Sequence, residues 1–290
     1  MKPLDDHIAR LQAGLRTERF GRRCRWFGTV DSTNSLAMTW AKEDAQTGSL
    51  VVAEFQERGR GRFKRSWTSD PGRNLMFSMI IDPSELRGGL ELLPLAIAVA
   101  VTDSLAENIE PHRPLIKWPN DVILTGKKVC GILVESSLPS RSDDRGGRVV
   151  AGVGINVNQD SFPEDLSETA TSLYRVLGRQ VDRIELLCDI LSSFEAVHRE
   201  IVAGRTVKLI RRYESMMLGL GETARFLHLG TGRMTEGTIL GVDDAGGLRV
   251  QTKSAVEVLR AGEVTIRMDG SLPQARIARL SDQSFPTSSS

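Results

Sequence analysis

The sequence predicts an α/β (α+β) protein in two parts, with helices and strands interleaved through residues 1–217 and a small all-β unit over 218–268. Three observations predict this. The 290 residues are long for one compact core and suit a main domain with a smaller companion. Up to Leu218 the apolar residues fall either at helical spacing or in short β-type runs. Beyond Leu218 only short runs separated by glycine turns remain, which is the texture of a small barrel.

The elements follow in order. Residues 4–15 place Leu4, Ile8, Leu11 and Leu15 on one helical face. A basic stretch, 16–25, leads to Trp26, Phe27 and Val30, and Asp31-Ser32-Thr33-Asn34 supplies helix-capping residue types ahead of a helix over 35–42. Strands are expected at 50–55 and 74–81, and 56–67 between them has no periodicity and is a loop. Residues 90–108 are apolar almost all round, the mark of a buried helix, with Pro94 in the first turn where a missing N–H costs little. After a break at 117–121, residues 122–124, a turn at 125–128 and 129–135 form a hairpin, and 149–157 is an apolar strand interrupted by Gly152 and Gly154. The polar stretch 139–148 is a surface loop. Residues 182–203 form an amphipathic helix capped by Asp182, and a shorter helix covers 207–217. Strands at 224–229, 233–242, 247–252, 255–259 and 263–268 build the barrel, with a hairpin signal at 243–247. The tail, 269–290, is expected to be disordered.

Composition narrows the function. Hydrophobic residues at 40% and charged residues at 26% are ordinary for a soluble protein, and a net charge of +1 excludes anion binding by bulk charge. Any anion site must come from local clustering. Cys24, Cys130 and Cys188 form no CxxC pair, so neither a disulfide framework nor a zinc site is expected. The first ten residues lack an apolar core and the longest apolar stretch, 92–101, is too short to cross a bilayer, so the reading is cytoplasmic and not membrane-bound.

Four segments carry candidate chemistry. In 57–65, Arg58, Arg60, Arg62, Lys64 and Arg65 face a single acid, Glu57; Gly59 and Gly61 let backbone approach a ligand, and the guanidiniums suit phosphate or carboxylate. Trp67 follows, where an indole can stack on a flat base. By itself this is equally a solvated basic loop. Lys117-Trp118-Pro119-Asn120-Asp121 holds a lysine and an aspartate at a strand end; Asp121 suits Mg2+ and Lys117 suits phosphate, although by itself the motif is better explained as an ordinary salt-bridged turn. Lys128, in 126–135 with Gly131, is either a turn residue or a cation aimed into a pocket. Gly152-Val153-Gly154-Ile155-Asn156-Val157 thins a strand so that something packs on it; the third glycine of a dinucleotide fingerprint is absent.

In this order the segments resemble the biotin protein ligase family over 31–177, and more weakly to 268. The matching pieces are Asp31-Ser32-Thr33-Asn34, Gln56 with Gly59-Arg60-Gly61-Arg62 and Arg65-Ser66-Trp67, Asn74-Leu75 with Ser78-Met79, residues 117–121, Lys128 with 131–135, and 152–157. The resemblance implies a central mixed sheet with helices, similar to class II aminoacyl-tRNA synthetases, and a C-terminal SH3-like barrel. It implies a ligase that forms biotinyl-5′-AMP from biotin and MgATP and passes biotin to a lysine of a carboxylase's biotin carboxyl carrier domain. Arg60, Arg62 and Lys128 would offset repulsion between carboxylate and phosphate, with Lys117 beside them. Ser32, Thr33 and Gln56 would supply neutral hydrogen bonds to biotin, with Asn34, Gly59, Gly61 and Gly131 also among the binding residues; Arg65, Trp67 and Asn156 would serve ATP, and Asp121 would assist Mg2+ or orient the amine. The family usually has glycine where this chain has Lys64. The roughly thirty residues before Asp31 are too few for a DNA-binding module, so no repressor role or nucleic-acid partner is expected, while a homodimer through the central sheet is compatible. Two rivals remain: a lipoate or octanoate ligase on the same fold, against which Ser32, Thr33 and Gln56 speak, and a non-catalytic nucleic-acid binder, against which the near-neutral charge speaks.

Overall fold

The computed structural model describes residues 4–86, 89–137, 147–262 and 264–267. In chain order it contains α1 (Asp5–Gly14), β1 (Cys24–Val30), α2 (Thr33–Glu43), β2 (Leu50–Gln56), β3 (Leu75–Ile81), α3 (Leu92–Asn108), β4 (Leu115–Lys117), β5 (Asp121–Leu124), β6 (Lys127–Ser137), β7 (Arg148–Ile155), α4 (Glu164–Ser167), α5 (Leu173–Leu177), α6 (Arg183–Val202), α7 (Thr206–Ser215), β8 (Thr223–His228), β9 (Met234–Val242), β10 (Leu248–Gln251), β11 (Val256–Leu259) and β12 (Val264–Arg267). The expected tail and most of the 139–148 loop lie outside the described residues.

Strand alternation organises the seven-stranded sheet, whose order is β1-β2-β3-β7-β6-β5-β4. Only β1 and β2 run parallel among its pairs, so the sheet is mixed. Leu50 and Val52 of β2, with Val149, Ala151, Val153 and Ile155 of β7, face a core shared with α1, α3 and α6. The alternate residues Val51, Ala53 and Val150 face the smaller core under α2. Asp182 caps α6 as its sequence suggests, accepting from the amides of Ile184 and Glu185 at 2.9 and 3.2 Å. The Asp31–Asn34 cluster behaves differently. Ser32 stands at the N-cap of α2 without a side-chain cap bond, and Thr33 and Asn34 begin the helix with their side chains turned to other partners.

The five-stranded antiparallel sheet, β11-β10-β9-β8-β12, follows the short-strand texture read from the sequence. Three contacts tie this sheet and the segment leading into it to the first unit. Ile116 N–H donates to Met216 O and Leu218 N–H to Ile116 O, both at 2.8 Å. Glu214 Oε1 accepts from Val242 N–H at 2.9 Å. The indole N–H of Trp118 donates to Gly246 O at 3.0 Å, in a buried contact. Among the described residues no helix is long and apolar enough to cross a membrane.

Candidate active site

The site lies on the α2 face of the large sheet, beyond the N-terminus of that helix, where glycines strip the sheet of side chains. Register sets out two rows. Ser78, Gly152 and Leu133 are opposite one another on β3, β7 and β6. Met76, Gly154, Gly131, Asp121 and Lys117 make the second row, across β3, β7, β6, β5 and β4. Neighbouring strands are about 4.8 Å apart, so the second row leads directly from the bare glycines to a charged edge.

Both glycine positions on β7 are filled from above. A Cβ on Gly154 would stand 2.6 Å from Cε2 and 2.8 Å from Cζ2 of Trp67, and one on Gly131 would stand 3.1 Å from its Cζ3. The Trp67 indole therefore rests on the Gly131–Gly154 pair, the close approach that only glycine permits. A Cβ on Gly152 would overlap the Asn34 amide. The loop that carries Trp67 folds on itself: Trp67 N–H donates to Gly59 O at 2.9 Å and Gly61 N–H to Arg65 O at 2.7 Å. A Cβ on Gly59 would collide with Trp67 O. Within this loop the left-handed residue is Phe63, with φ 55°, immediately before Lys64.

One end of the cavity is polar and neutral. Gln56 Oε1 accepts from Thr33 N–H at 2.8 Å and from its hydroxyl at 3.0 Å. The Ser78 hydroxyl lies 2.7 Å from Thr33 Oγ1 and 2.6 Å from Asn34 Oδ1, in a buried cluster. Ser32 lines the same end. The other end is cationic. Lys128 Nζ is 2.7 Å from Asp121 Oδ1 and 5.7 Å from the Trp67 ring centre. Arg62 donates to Asn120 Oδ1 at 3.0 Å, while its second terminal nitrogen and the Trp67 indole nitrogen are buried without a partner among the described residues. Burial lowers the Arg62 guanidinium pKa, Asp121 opposes that shift and Arg65 adds to it. Burial likewise lowers Lys117, with Asp121 opposing and Lys128 and Arg65 reinforcing. Both ends open into one cavity of about 1440 Å³.

Known proteins resemble the chain over most of its length. The Biotin/lipoate A/B protein ligase family model matches residues 26–156. A biotin--[acetyl-CoA-carboxylase] ligase of Mycobacterium tuberculosis is 31% identical over 276 residues, covering 90% of this chain and 95% of that protein. The chain belongs to the biotin protein ligase family. The bifunctional ligase/repressor BirA of Bacillus spizizenii is 35% identical over 261 residues, covering 88% of this chain and 78% of BirA. Among solved structures, the Aquifex aeolicus biotin protein ligase in complex with biotin and ATP superposes with a TM-score of 0.73 at 32% identity, covering 85% of this chain and 99% of that one. The mixed sheet with its helices matches the ligase fold, and the second antiparallel sheet fits an SH3-like unit.

The structure gathers nearly all of the sequence-predicted ligase residues around this cavity: Ser32, Thr33, Asn34, Gln56, Arg60, Gly61, Arg62, Arg65, Trp67, Lys117, Asp121, Lys128, Gly131 and Asn156 line it, and Gly59 sits at the loop base. Some are committed elsewhere. Arg60 points to Glu135 Oε2 and Ser35 Oγ, at 3.0 and 3.1 Å. The Asn156 amide donates to Thr171 O at 3.0 Å. Sequence reasoning missed Asn120, Ser78 and Glu135 as partners of these side chains, although all three lie in the matched segments; for Ser78 and Glu135 the signal was polarity inside otherwise apolar strands, whereas Asn120 sits in the turn before β5. It also missed Arg113, whose place on the cavity wall follows from the chain's approach to β4. Cys130 is fully buried, and burial pushes its thiol well above the usual range, so it is no nucleophile.

Proposed function

We propose that this chain uses ATP to join biotin to a lysine of a biotin carboxyl carrier domain, through biotinyl-5′-AMP. The observation that carries the reading is the polarity of this cavity: a neutral hydroxyl–amide cluster at one end, and Arg62, Arg65, Lys117 and Lys128 at the other. Ser32, Thr33 and Gln56 supply uncharged donors and acceptors suited to a ureido ring, and the buried Ser78 hydroxyl holds Thr33 and Asn34 in place behind them. The biotin carboxylate then projects toward the cations. Adenylation needs no protein nucleophile; it needs two anions held in line. Arg62, with an unpartnered buried nitrogen, and Lys128 offset the repulsion between carboxylate and α-phosphate. Trp67 and Arg65 hold the nucleotide, with Asn156 lining that wall. The loop over the site keeps water from the mixed anhydride until the carrier amine attacks it.

Among the described residues no cluster of three or more His, Cys, Asp or Glu side chains could bind a metal alone. Mg2+ commonly takes one or two carboxylates and completes its shell with phosphates and water, and Asp121 beside the cationic end fits that donor set. When bound, the ion offsets phosphate charge.

The relatives named above support biotin over lipoate, and so does the neutral cluster, since a lipoyl chain calls for an apolar tunnel. Pyrophosphate release with MgATP and either biotin, lipoate or octanoate tests the choice. Release with biotin alone is the expected result; release with lipoate or octanoate and none with biotin would overturn it.

A further inference from the structure

Arg60 has the wrong neighbours for a residue that grips substrate. Its guanidinium pairs with Glu135 Oε2 at 3.0 Å and touches Ser35 Oγ at 3.1 Å, at the α2 side of the loop. The same carboxylate oxygen accepts from Asn34 Nδ2 at 2.7 Å, and Asn34 Nδ2 also lies 3.3 Å from Leu133 O. The contacts continue as one chain: Asn34 Oδ1 meets the Ser78 hydroxyl at 2.6 Å, Ser78 meets Thr33 Oγ1 at 2.7 Å, and Thr33 donates to Gln56 Oε1 at 3.0 Å. Glu135 stands opposite Val150, two residues along β7 from Gly152, on the face that carries the site. Gly152 is bare because the Asn34 amide occupies the place of its side chain.

We infer that Glu135 is a positioning residue for the ligation reaction: its carboxylate fastens the loop through Arg60 and fastens Asn34 at the same oxygen, so Arg60 acts through Glu135 and does not contact the reacting phosphate. Surface ion pairs alone are worth little. Here the carboxylate is shared by a charged donor and a part-buried amide, which makes it a geometric tie between the loop and the neutral end of the cavity. Fastened, the loop holds Trp67 on Gly154. Released at Arg60, it leaves the adenylate open to escape and to water, while Arg62 keeps its own bond to Asn120 and Lys128 stays on β6.

This inference rests on the proposed biotin-adenylating function, and a double-mutant cycle on the full chain separates the two. Glu135→Gln, Arg60→Gln and the double variant are compared with the unsubstituted chain for melting temperature, for kcat of pyrophosphate release at saturating biotin and MgATP, and for escape of biotinyl-AMP into solution after one turnover. The expected result is that each single variant raises adenylate escape about tenfold, the scale of losing one hydrogen bond to a charged group. The double variant matches the singles, and single-turnover adenylation stays within about twofold, as for a group outside the reacting shell. Multiplying effects on escape would overturn the inference. So would a large fall in single-turnover adenylation for Arg60→Gln with none for Glu135→Gln, since Arg60 would then be gripping substrate. So would a loss that tracks the folded fraction alone. If the unsubstituted chain makes no biotinyl-AMP, the proposed function itself fails and this inference with it.

Discussion

Replacing Gly154 with alanine tests whether Trp67 rests on the sheet. The residue is not in the left-handed region, so its backbone accepts a side chain. The added Cβ would stand 2.6 Å from Trp67 Cε2 and 2.8 Å from Cζ2. Carbon pairs settle near 3.5–4.0 Å, so the indole must retreat by about 1 Å. The retreat strains the Trp67–Gly59 and Gly61–Arg65 bonds and carries Arg62 with it. A 1 Å misplacement of a positioning group costs up to about 100-fold in rate. Glycine inside a strand is itself unfavourable by about 0.5–1 kcal/mol against alanine, so global stability should hold or rise. The expected outcome is kcat/KM for ATP lowered about 10- to 100-fold with the melting temperature unchanged or higher. Gly152→Ala, which overlaps the Asn34 amide, should instead raise KM for biotin. Steady-state pyrophosphate release, varying each substrate in turn, reads both. Gly154→Ala with an unchanged ATP dependence would refute the seating of Trp67, and identical effects from the two glycines would refute the division of the cavity into two ends.

Three further outcomes follow. Arg62→Ala should reduce formation of biotinyl-AMP by about 100-fold or more, the scale of losing one preorganised donor at a developing charge, in single-turnover measurements; a loss below a few-fold would dismiss its role. Trp118→Phe should lower the melting temperature, because Gly246 O would be buried without its donor, a cost of about 1–3 kcal/mol; an unchanged melting curve would mean that the two sheets are not tied there. His198 is buried against Phe20 and Phe194, and burial lowers its pKa from 6.5, with Glu85 opposing. A lowered histidine pKa means that the unfolded chain binds the proton first, so stability falls as pH drops through 6.5 toward the folded value. Melting between pH 7 and pH 5 should therefore fall more steeply in the unsubstituted chain than in His198→Gln, and parallel curves would contradict this.

The sequence carried the site's chemistry further than its wiring. Asp182 before an apolar-periodic run named its own helix cap, and the glycine-punctuated strands after Leu218 marked the second sheet. Gly152 and Gly154 announced that something packs on their strand, but not that Trp67 and Asn34 of the same chain do so, because register between β3, β7 and β6 is a tertiary property. Strand β1 escaped notice since Arg25 and Gly28 interrupt its apolar run; its parallel pairing with β2 supplies what local pattern lacks. Arg60 read as one cation among five, and only the fold brings Glu135, distant in sequence, to its guanidinium. The capping types at 31–34 were recognised as helix-starting residues, yet Thr33 and Asn34 spend their side chains on Gln56, Ser78 and Glu135. Local propensity and site chemistry favour the same residue types there, and sequence alone does not separate them.

The most direct test of the central claim is mass spectrometry of a biotin carboxyl carrier domain after incubation with this chain, biotin and MgATP. One biotinyl group on a single lysine, dependent on ATP and abolished by Arg62→Ala, is the expected result. An unmodified carrier domain, in a reaction where the chain is folded and both substrates are present, would contradict the account.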